Sequence, residues 1–355
     1  MKTNLKGRQV SSLRNDSTMR RTSDPKITVA MPVFNCMKYV QEAIDSILGQ
    51  TEGDFEFLIV DDASTDGTLE IIEQQKDPRI RIIRNEFNCG LASGLNTILS
   101  QARGKYIARM DGDDISLERR FELQSRFLES HPEIALVGSY FTFFECKDKG
   151  DICIKRRPER PLEIGCLLGI ASQVCHPSAM YLREAAIEVG GYRPKIGIAE
   201  DYDLWLRLRE RWLLANLPEV LHRVRWHEQR ISNRRLMDQV AFSKLCLMLD
   251  YERKVLGEDS LDLMTHDDIG TVLGGGVPIP RKGPADIRKR IHRNWKRISY
   301  WHDPRCPEVG LLRRLARWPY DLGAWQILLT LIKVRVRWKM RPITLHLPSG
   351  ELLKA

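Results

Sequence analysis

The chain has 355 residues, 43% of them apolar and 29% charged, with 24 Gly and 17 Pro. This globular composition excludes collagen-like, mucin-like and wholly disordered chains, and at ~150 residues per domain the length predicts about two domains, or one large domain with an extension. The net charge of +9 is uneven: residues 271–355 hold 18 Lys and Arg against 5 Asp and Glu, so the body is slightly acidic and the basic character belongs to a tail.

Residues 1–25 are polar and basic without apolar periodicity and read as a disordered arm. Pattern begins at Ile27, where Ile27 to Val33 is an apolar run stopped by Phe34-Asn35 and reads as a buried strand. Tyr39 to Leu48 has helical spacing. Phe55 to Asp61 reads as a second strand ending in the turn-rich segment Asp61-Asp62-Ala63-Ser64-Thr65-Asp66-Gly67. Thr68 to Gln75 follows as a helix, Arg79 to Arg84 as a strand, Asn88-Cys89-Gly90 as a turn and Leu91 to Ala102 as a helix. Gly104 to Met110 is a fourth strand, ending in Asp111-Gly112-Asp113-Asp114. Beyond it come a helix over Leu117 to Leu128, a strand over Ile134 to Phe144 and a charged loop over 145–160. Residues 165–174 are an apolar stretch, Tyr192 to Gly197 a loop, and Glu200 to Arg209 a helix with acids at its start.

Strands alternating with helices of about a dozen residues predict an α/β, doubly wound, mostly parallel sheet. Right-handed crossovers then put the strand carboxyl ends on one edge, where such sheets bind ligands. Two acidic clusters, Asp61-Asp62 and Asp111/Asp113/Asp114, therefore converge on one cleft.

Eight cysteines are scattered without a C-x-x-C pair or zinc-finger spacing, which predicts reduced thiols in a cytosolic protein. No apolar run approaches the ~20 residues that span a bilayer. The N-terminus shows no signal-peptide apolar region, so neither a spanning nor an exported protein is expected.

Three carboxylates on one tight turn repel one another unless a cation sits among them, and a hard divalent ion, Mg²⁺ or Mn²⁺, suits oxygen ligands. The bland alternative is a solvated acidic turn. Asp61 and Asp62 can accept hydrogen bonds from a base or sugar, or cap the following helix. Glu200-Asp201, at a helix start, can take a proton from an attacking hydroxyl, or merely complement the helix dipole. There is no G-x-S-x-G, no P-loop and no G-x-G-x-x-G after a strand.

The ordered set is more specific than its parts. Met31-Pro32-Val33-Phe34-Asn35, Val60 to Thr68, Asn88-x-Gly90, Gly104-Lys105-Tyr106-Ile107 leading into Asp111-Gly112-Asp113-Asp114, and Glu200-Asp201 together resemble the family 2 glycosyltransferases. These are inverting, metal-dependent sugar transferases of the GT-A fold, and the bacterial surface-polysaccharide type is the most similar. The resemblance runs from residue 27 to about 232. It implies that Pro32, Val33, Phe34 and Asp62 hold the nucleotide base. It implies that Asp111 and Asp113 touch the ribose and diphosphate, and that Asp113, Asp114 and His227 serve the metal. Asp201 would be the general base with Glu200 in support, and His176 and Arg225 would line the phosphate and acceptor side. The Q-x-x-R-W signature of processive members is absent, with Arg223-Val-Arg225-Trp226 a partial echo, which favours single sugar addition.

Residues 288–341 hold five of the eight Trp, interleaved with Arg, Lys and short apolar stretches, a pattern suited to an anionic membrane surface. The competing reading is a globular subdomain with a solvated basic face. The expected organisation is an arm at 1–25, a glycosyltransferase domain at 26–232 and a helical, basic extension at 233–355. The expected partners are a nucleoside-diphosphate sugar, a glycan or lipid-linked acceptor and the membrane surface, with no nucleic acid. The expected location is the cytoplasm, with a peripheral position on the inner membrane face. Two other classes fit less well. A sugar-phosphate nucleotidyltransferase would need a Gly-rich basic loop where Pro32-Val-Phe-Asn35 stands, and a non-enzymatic membrane or nucleic-acid binding module would leave the acids structural.

Overall fold

Strands buried on both faces are apolar at nearly every position, because alternate side chains enter two different cores. β1 (Ile27–Val33) and β2 (Phe55–Asp61) are buried along their whole length in a computed structural model. The structure describes residues 24–145, 150–227, 230, 235–273 and isolated positions further on, among them an antiparallel pair formed by Thr344–His346 and Leu352–Lys354. In β1, Ile27, Val29, Met31 and Val33 face one core and Ala30 the other. In β2, Phe55, Phe57 and Ile59 join the first, Leu58 and Val60 the second.

The first core is covered by α1 (Val40–Leu48), α2 (Thr68–Glu73) and α4 (Arg120–Ser130). The second is covered by α3 (Leu91–Gln101), α6 (Arg183–Glu188) and α7 (Glu200–Leu208). Between α2 and α3 lies β3 (Ile80–Arg84), and after α3 comes β4 (Tyr106–Arg109). β5 (Ile115–Ser116) precedes α4, and β6 (Ile134–Phe144), β7 (Cys153–Lys155), α5 (Pro161–Leu167) and β8 (Met180–Leu182) follow it. β9 (Leu213–Arg225) is the last strand of this sheet along the chain.

The strand order is β3-β2-β1-β4-β8-β6-β9-β5, with β7 on β6. β3, β2, β1 and β4 are mutually parallel, as the helix–strand alternation predicts. β8 then runs antiparallel to both β4 and β6, while β6 and β9 are parallel. The fold is thus α/β with the expected parallel block, extended by a mixed half.

β9 is the element that periodicity does not reveal. Ser139 pairs with Leu217 and Tyr140 with Val220, so Pro218 and Glu219 bulge out of the ladder. A proline there forfeits no ladder hydrogen bond, but it breaks the alternation a reader of the sequence would look for. The short β5, β7 and β8 and the helices α5 and α6 lie in stretches that the sequence leaves as loops or unassigned apolar runs.

α8 (Leu236–Leu256) begins just beyond residue 232 and packs on the α/β body. Phe242, Leu245, Cys246, Met248 and Leu249 are buried in the second core with Trp205 and Leu206 of α7. Phe242 lies against Gly197, where a Cβ would come within 2.6 Å of its ring and where φ is +66°, so only glycine fits without strain. Leu261, Met264 and, in α9 (His266–Leu273), Ile269 complete this layer. Among the described residues no helix is long and apolar enough to cross a membrane. The N-terminal arm and the Trp-rich stretch lie almost wholly outside the described residues.

Leu249→Ala should cost about 2–5 kcal/mol in chemical denaturation, with one transition for the whole body. A loss below about 1 kcal/mol would mean that α8 is not part of this core.

Candidate active site

The carboxyl ends of β1, β2 and β4 meet at one edge of the parallel block. β1 ends in the buried Pro32 and Val33, and Phe34 then turns outward, 49% exposed. The loops after β1 and β2 are tied together. Asn35 N donates to Ser64 Oγ (3.0 Å), and Thr65 N donates to Asn35 Oδ1 (2.8 Å). Asn35 and Ala63 are the non-glycine residues with positive φ among the described residues, at 49° and 63°, and both lie here. Left-handed backbone at such residues is a strain held in place by surrounding structure.

Asp62 is buried and anchors the next loop. Its Oδ1 accepts from Asn85 Nδ2 (2.7 Å) and Cys89 N (2.8 Å), and its Oδ2 from Gly90 N (2.8 Å). It does not cap α2. The N-cap position is Gly67, and Asp66 before it accepts from Thr68 N at 3.0 Å. Asp61 is buried beside Asp62, and its Oδ1 has no hydrogen-bond partner among the described residues.

The acidic turn follows β4. Gly112 sits so close to β1 that a Cβ would lie 2.8 Å from Val33 Cγ1 and 2.9 Å from Cys36 Sγ, so the turn requires glycine at this point. Asp111, Asp113 and Asp114 each bring a carboxylate oxygen within 4.8 Å of the others. Asp111 pairs with the buried Arg109 guanidinium. Asp113 Oδ2 lies 2.8 Å from His227 Nε2. Asp114 is buried, with Oδ2 2.9 Å from His222 Nε2 and Oδ1 accepting from Arg225 N at 2.9 Å. Burial pushes Asp114 well above the usual carboxylate range, with the charges of Asp113 and Asp111 adding to it. Asp111 is raised too, chiefly by burial. Three oxygens at this spacing, strained by mutual repulsion, fit a hard divalent cation.

The second carboxylate pair begins α7. Glu200 is buried, and its Oε1 lies 3.6 Å from His176 Nδ1. Burial, then the charge of Asp201, pushes Glu200 up to about 8, while Asp201, half-buried, is raised to about 6 by burial. His176 Nε2 is 3.1 Å from Tyr192 Oη, which is 3.0 Å from Tyr181 Oη. Trp205 packs edge-on against His176 and against Tyr181. His176 therefore sits behind the α7 carboxylates.

Arg225 is also committed within the protein. Its Nε donates to Asp113 O (2.7 Å), and its Nη2 pairs with Glu42 of α1 (2.7 Å). Its guanidinium lies over the rings of Tyr39 and Phe144. It braces the acidic turn against α1 and β9.

Three buried residues of this site are not singled out by sequence reasoning. Arg109 carries charge between the clusters: it pairs with Asp111 and pulls down the carboxylates of Glu200 and Asp201 electrostatically. Arg120 donates to Gln124 Oε1 (3.0 Å), Arg109 O (2.8 Å) and Ala179 O (3.1 Å), and burial lowers it to about 9. His222 lies between Arg120 and Asp114, and burial, with the charges of Arg120 and Arg109, holds it neutral. The signal was a charged or polar residue inside an apolar strand or helix face, which becomes informative once the edge it points to is known.

Residues 28–190 match the family described as Glycosyl transferase family 2. The chain is 40% identical over 210 residues to the "Putative glycosyltransferase EpsE" of Bacillus subtilis (strain 168), covering 57% of this chain and 74% of that protein. The chain belongs to glycosyltransferase family 2. It is also 31% identical over 199 residues to the "Amylovoran biosynthesis glycosyltransferase AmsE" of Erwinia amylovora, covering 55% of this chain and 74% of the relative. Solved structures share its fold. S. aureus TarS 1–349 in complex with UDP-GlcNAc superposes with a TM-score of 0.57 at 16% identity, over 93% of this chain and 96% of the other. The mannosyltransferase PcManGT from Pyrobaculum calidifontis, in complex with GDP-Man and Mn²⁺, gives 0.51 at 18% identity, over 89% and 81%. The architecture is therefore GT-A-like.

In this glycosyltransferase, Glu200 titrates near its ordinary value (about 4.3) when unfolded and near 8 when folded. Across that window the folded state keeps a proton the unfolded state has lost, so stability falls as pH rises. Glu200→Gln removes this penalty. Its gain in Tm over wild type should be larger at about pH 8.5 than at about pH 5 in metal-free buffer. An equal change at both would mean that Glu200 is not held in its neutral form.

Proposed function

We propose that this enzyme is an inverting, metal-dependent glycosyltransferase. It moves a sugar from a nucleoside-diphosphate sugar to a hydroxyl of a glycan or lipid-linked acceptor in one displacement. The observation that carries the reading is the meeting of two carboxylate groups at one sheet edge, the acidic turn after β4 and Glu200-Asp201 on α7, with Arg109 between them. The names of relatives support the setting, since one is an amylovoran biosynthesis enzyme. The ligands named for the fold neighbours, UDP-GlcNAc and GDP-Man, support the donor class.

Each residue then has a task. Pro32, Val33 and Phe34 form the wall against which the base lies, and Asp62 fixes the loop beside it. Asp113 and Asp114, with His227 next to Asp113, hold Mg²⁺ or Mn²⁺. When bound, that ion neutralises charge on the departing diphosphate, so no second catalytic acid is required. Asp111 contacts the ribose side. Asp201 is the general base, because a group near 6 is ionised at neutral pH and stands more open to the cleft than Glu200. Glu200, near 8, keeps its proton there and supports Asp201, with His176 behind it. Arg225 acts through the turn it braces. A nucleotidyltransferase reading has no supporting feature, since the loop after β1 is neither Gly-rich nor basic. The cytoplasmic face of the membrane is the proposed place of action, with the basic, Trp-rich stretch as the contact.

Calorimetric titration of UDP, GDP and dTDP, each with and without Mn²⁺, tests the donor half. One nucleotide should bind in a metal-dependent way, and Asp113→Ala should abolish the metal-dependent part. Binding of none of them would sink the proposal. Asp201→Asn tests the base. Transfer should fall by about 10²–10⁴-fold with donor binding nearly intact. In the wild type, log(kcat/KM) should rise with pH and level off above about 6. Wild-type turnover in the variant would remove Asp201 from its role.

A further inference from the structure

Asp114 sits at the exit of the acidic turn with its carboxylate aimed by partners from β9. Oδ1 accepts from the Arg225 backbone N–H at 2.9 Å, and Oδ2 lies 2.9 Å from His222 Nε2. His222 is fully buried, and its other ring nitrogen, Nδ1, faces Arg120 Nη1 at 3.5 Å. A guanidinium can only donate, so Nδ1 must accept and Nε2 must carry the hydrogen. The ring is therefore fixed as an N–H donor toward Asp114. Arg120 also grips the entrance of the same turn through the Arg109 carbonyl, at 2.8 Å. It reaches Ala179 O as well and is set by Gln124, which itself donates to Val137 O and Ser178 O. The two ends of the turn are thus held by one buried chain, α4 to β9 to Asp114.

We propose that His222 is a positioning residue for the divalent cation: through its Nε2–H it orients Asp114, and Arg120 fixes the ring that does so. The proposal rests on the reading of Asp114 as a metal ligand. Residues that orient a metal-binding carboxylate typically carry 10–100-fold of metal affinity.

The test is Mn²⁺ alone, titrated into the full chain and followed by loss of the free-ion electron paramagnetic resonance signal. Wild type, Asp113→Ala, His222→Leu, His222→Gln and His222→Asn are compared, with thermal unfolding of each as the check on folding. His222→Leu should weaken Mn²⁺ by about 10–100-fold. His222→Gln, whose amide reaches the Nε2 position, should stay within about threefold. His222→Asn, whose shorter amide stays on the Arg120 side, should behave like Leu. The Asn and Gln variants are both polar, so their difference isolates the bond to Asp114 even if the Leu variant does not fold. Equal Mn²⁺ affinity in wild type, Asn and Gln variants would overturn the role of His222 while leaving the acidic turn as the metal site. Absence of Mn²⁺ binding by wild type would overturn both.

Discussion

Crowding of like charge at the end of β4 is the constraint around which this molecule is arranged. Three carboxylates share a turn of four residues, and water alone would let them splay apart. The fold prevents that. Gly112 presses the turn against β1, Arg109 clasps Asp111 from below, and β9 delivers His222 and the Arg225 backbone to Asp114. Arg109 comes from β4 in the centre of the sheet, and His222 and Arg225 come from β9. What is left is a cluster with its electrostatic cost built in, which is the ground for the divalent cation proposed there.

The same logic explains how the second carboxylate pair differs from the first. Glu200 and Asp201 lie at the start of a helix that is buried along most of its length, and among the described residues they have no direct arginine partner. Their neighbours are a neutral histidine and two tyrosines, with Arg109 acting electrostatically. Low polarity raises both groups, and the more buried one is raised further. Two carboxyl groups adjacent in sequence are thereby pushed up unequally, which suits the proton-accepting role proposed for Asp201.

The parallel half of the fold was legible in the sequence. β1 to β4 are short apolar runs, the helices between them show clear periodicity, and the acids fall at strand ends, where topology dictates that ligands bind. The mixed half was not legible, because its signals are broken or short. β9 carries a proline bulge, β7 and β8 are three residues each, and α8 owes its place to contacts with α7 and Gly197 that no local pattern announces. Within the site, the acids could be named because carboxylates in a turn stand out. Arg109, Arg120 and His222 could not, because a single charged residue in an apolar element looks like an exposed one until its direction is known. His176 and Arg225 were expected to line the phosphate and acceptor side, and in the structure their side chains meet Glu200 and Tyr192 in one case and Glu42 and Asp113 in the other.

The docking of α8 onto α7 bears on how such chains can be recombined. α7 is packed against α8, and its own Asp203 is tied through Arg193 to Asp259 beyond the end of α8. The first turn of α7 holds the carboxylate pair, so its pitch is set partly by residues more than forty positions downstream. A chimera cut at the end of β9 would carry every acidic residue of the site and still lack the helix that sets the angle of two of them. A junction placed after residue 273 keeps that helix with its partner, and any exchange of acceptor-side segments between related enzymes should respect it.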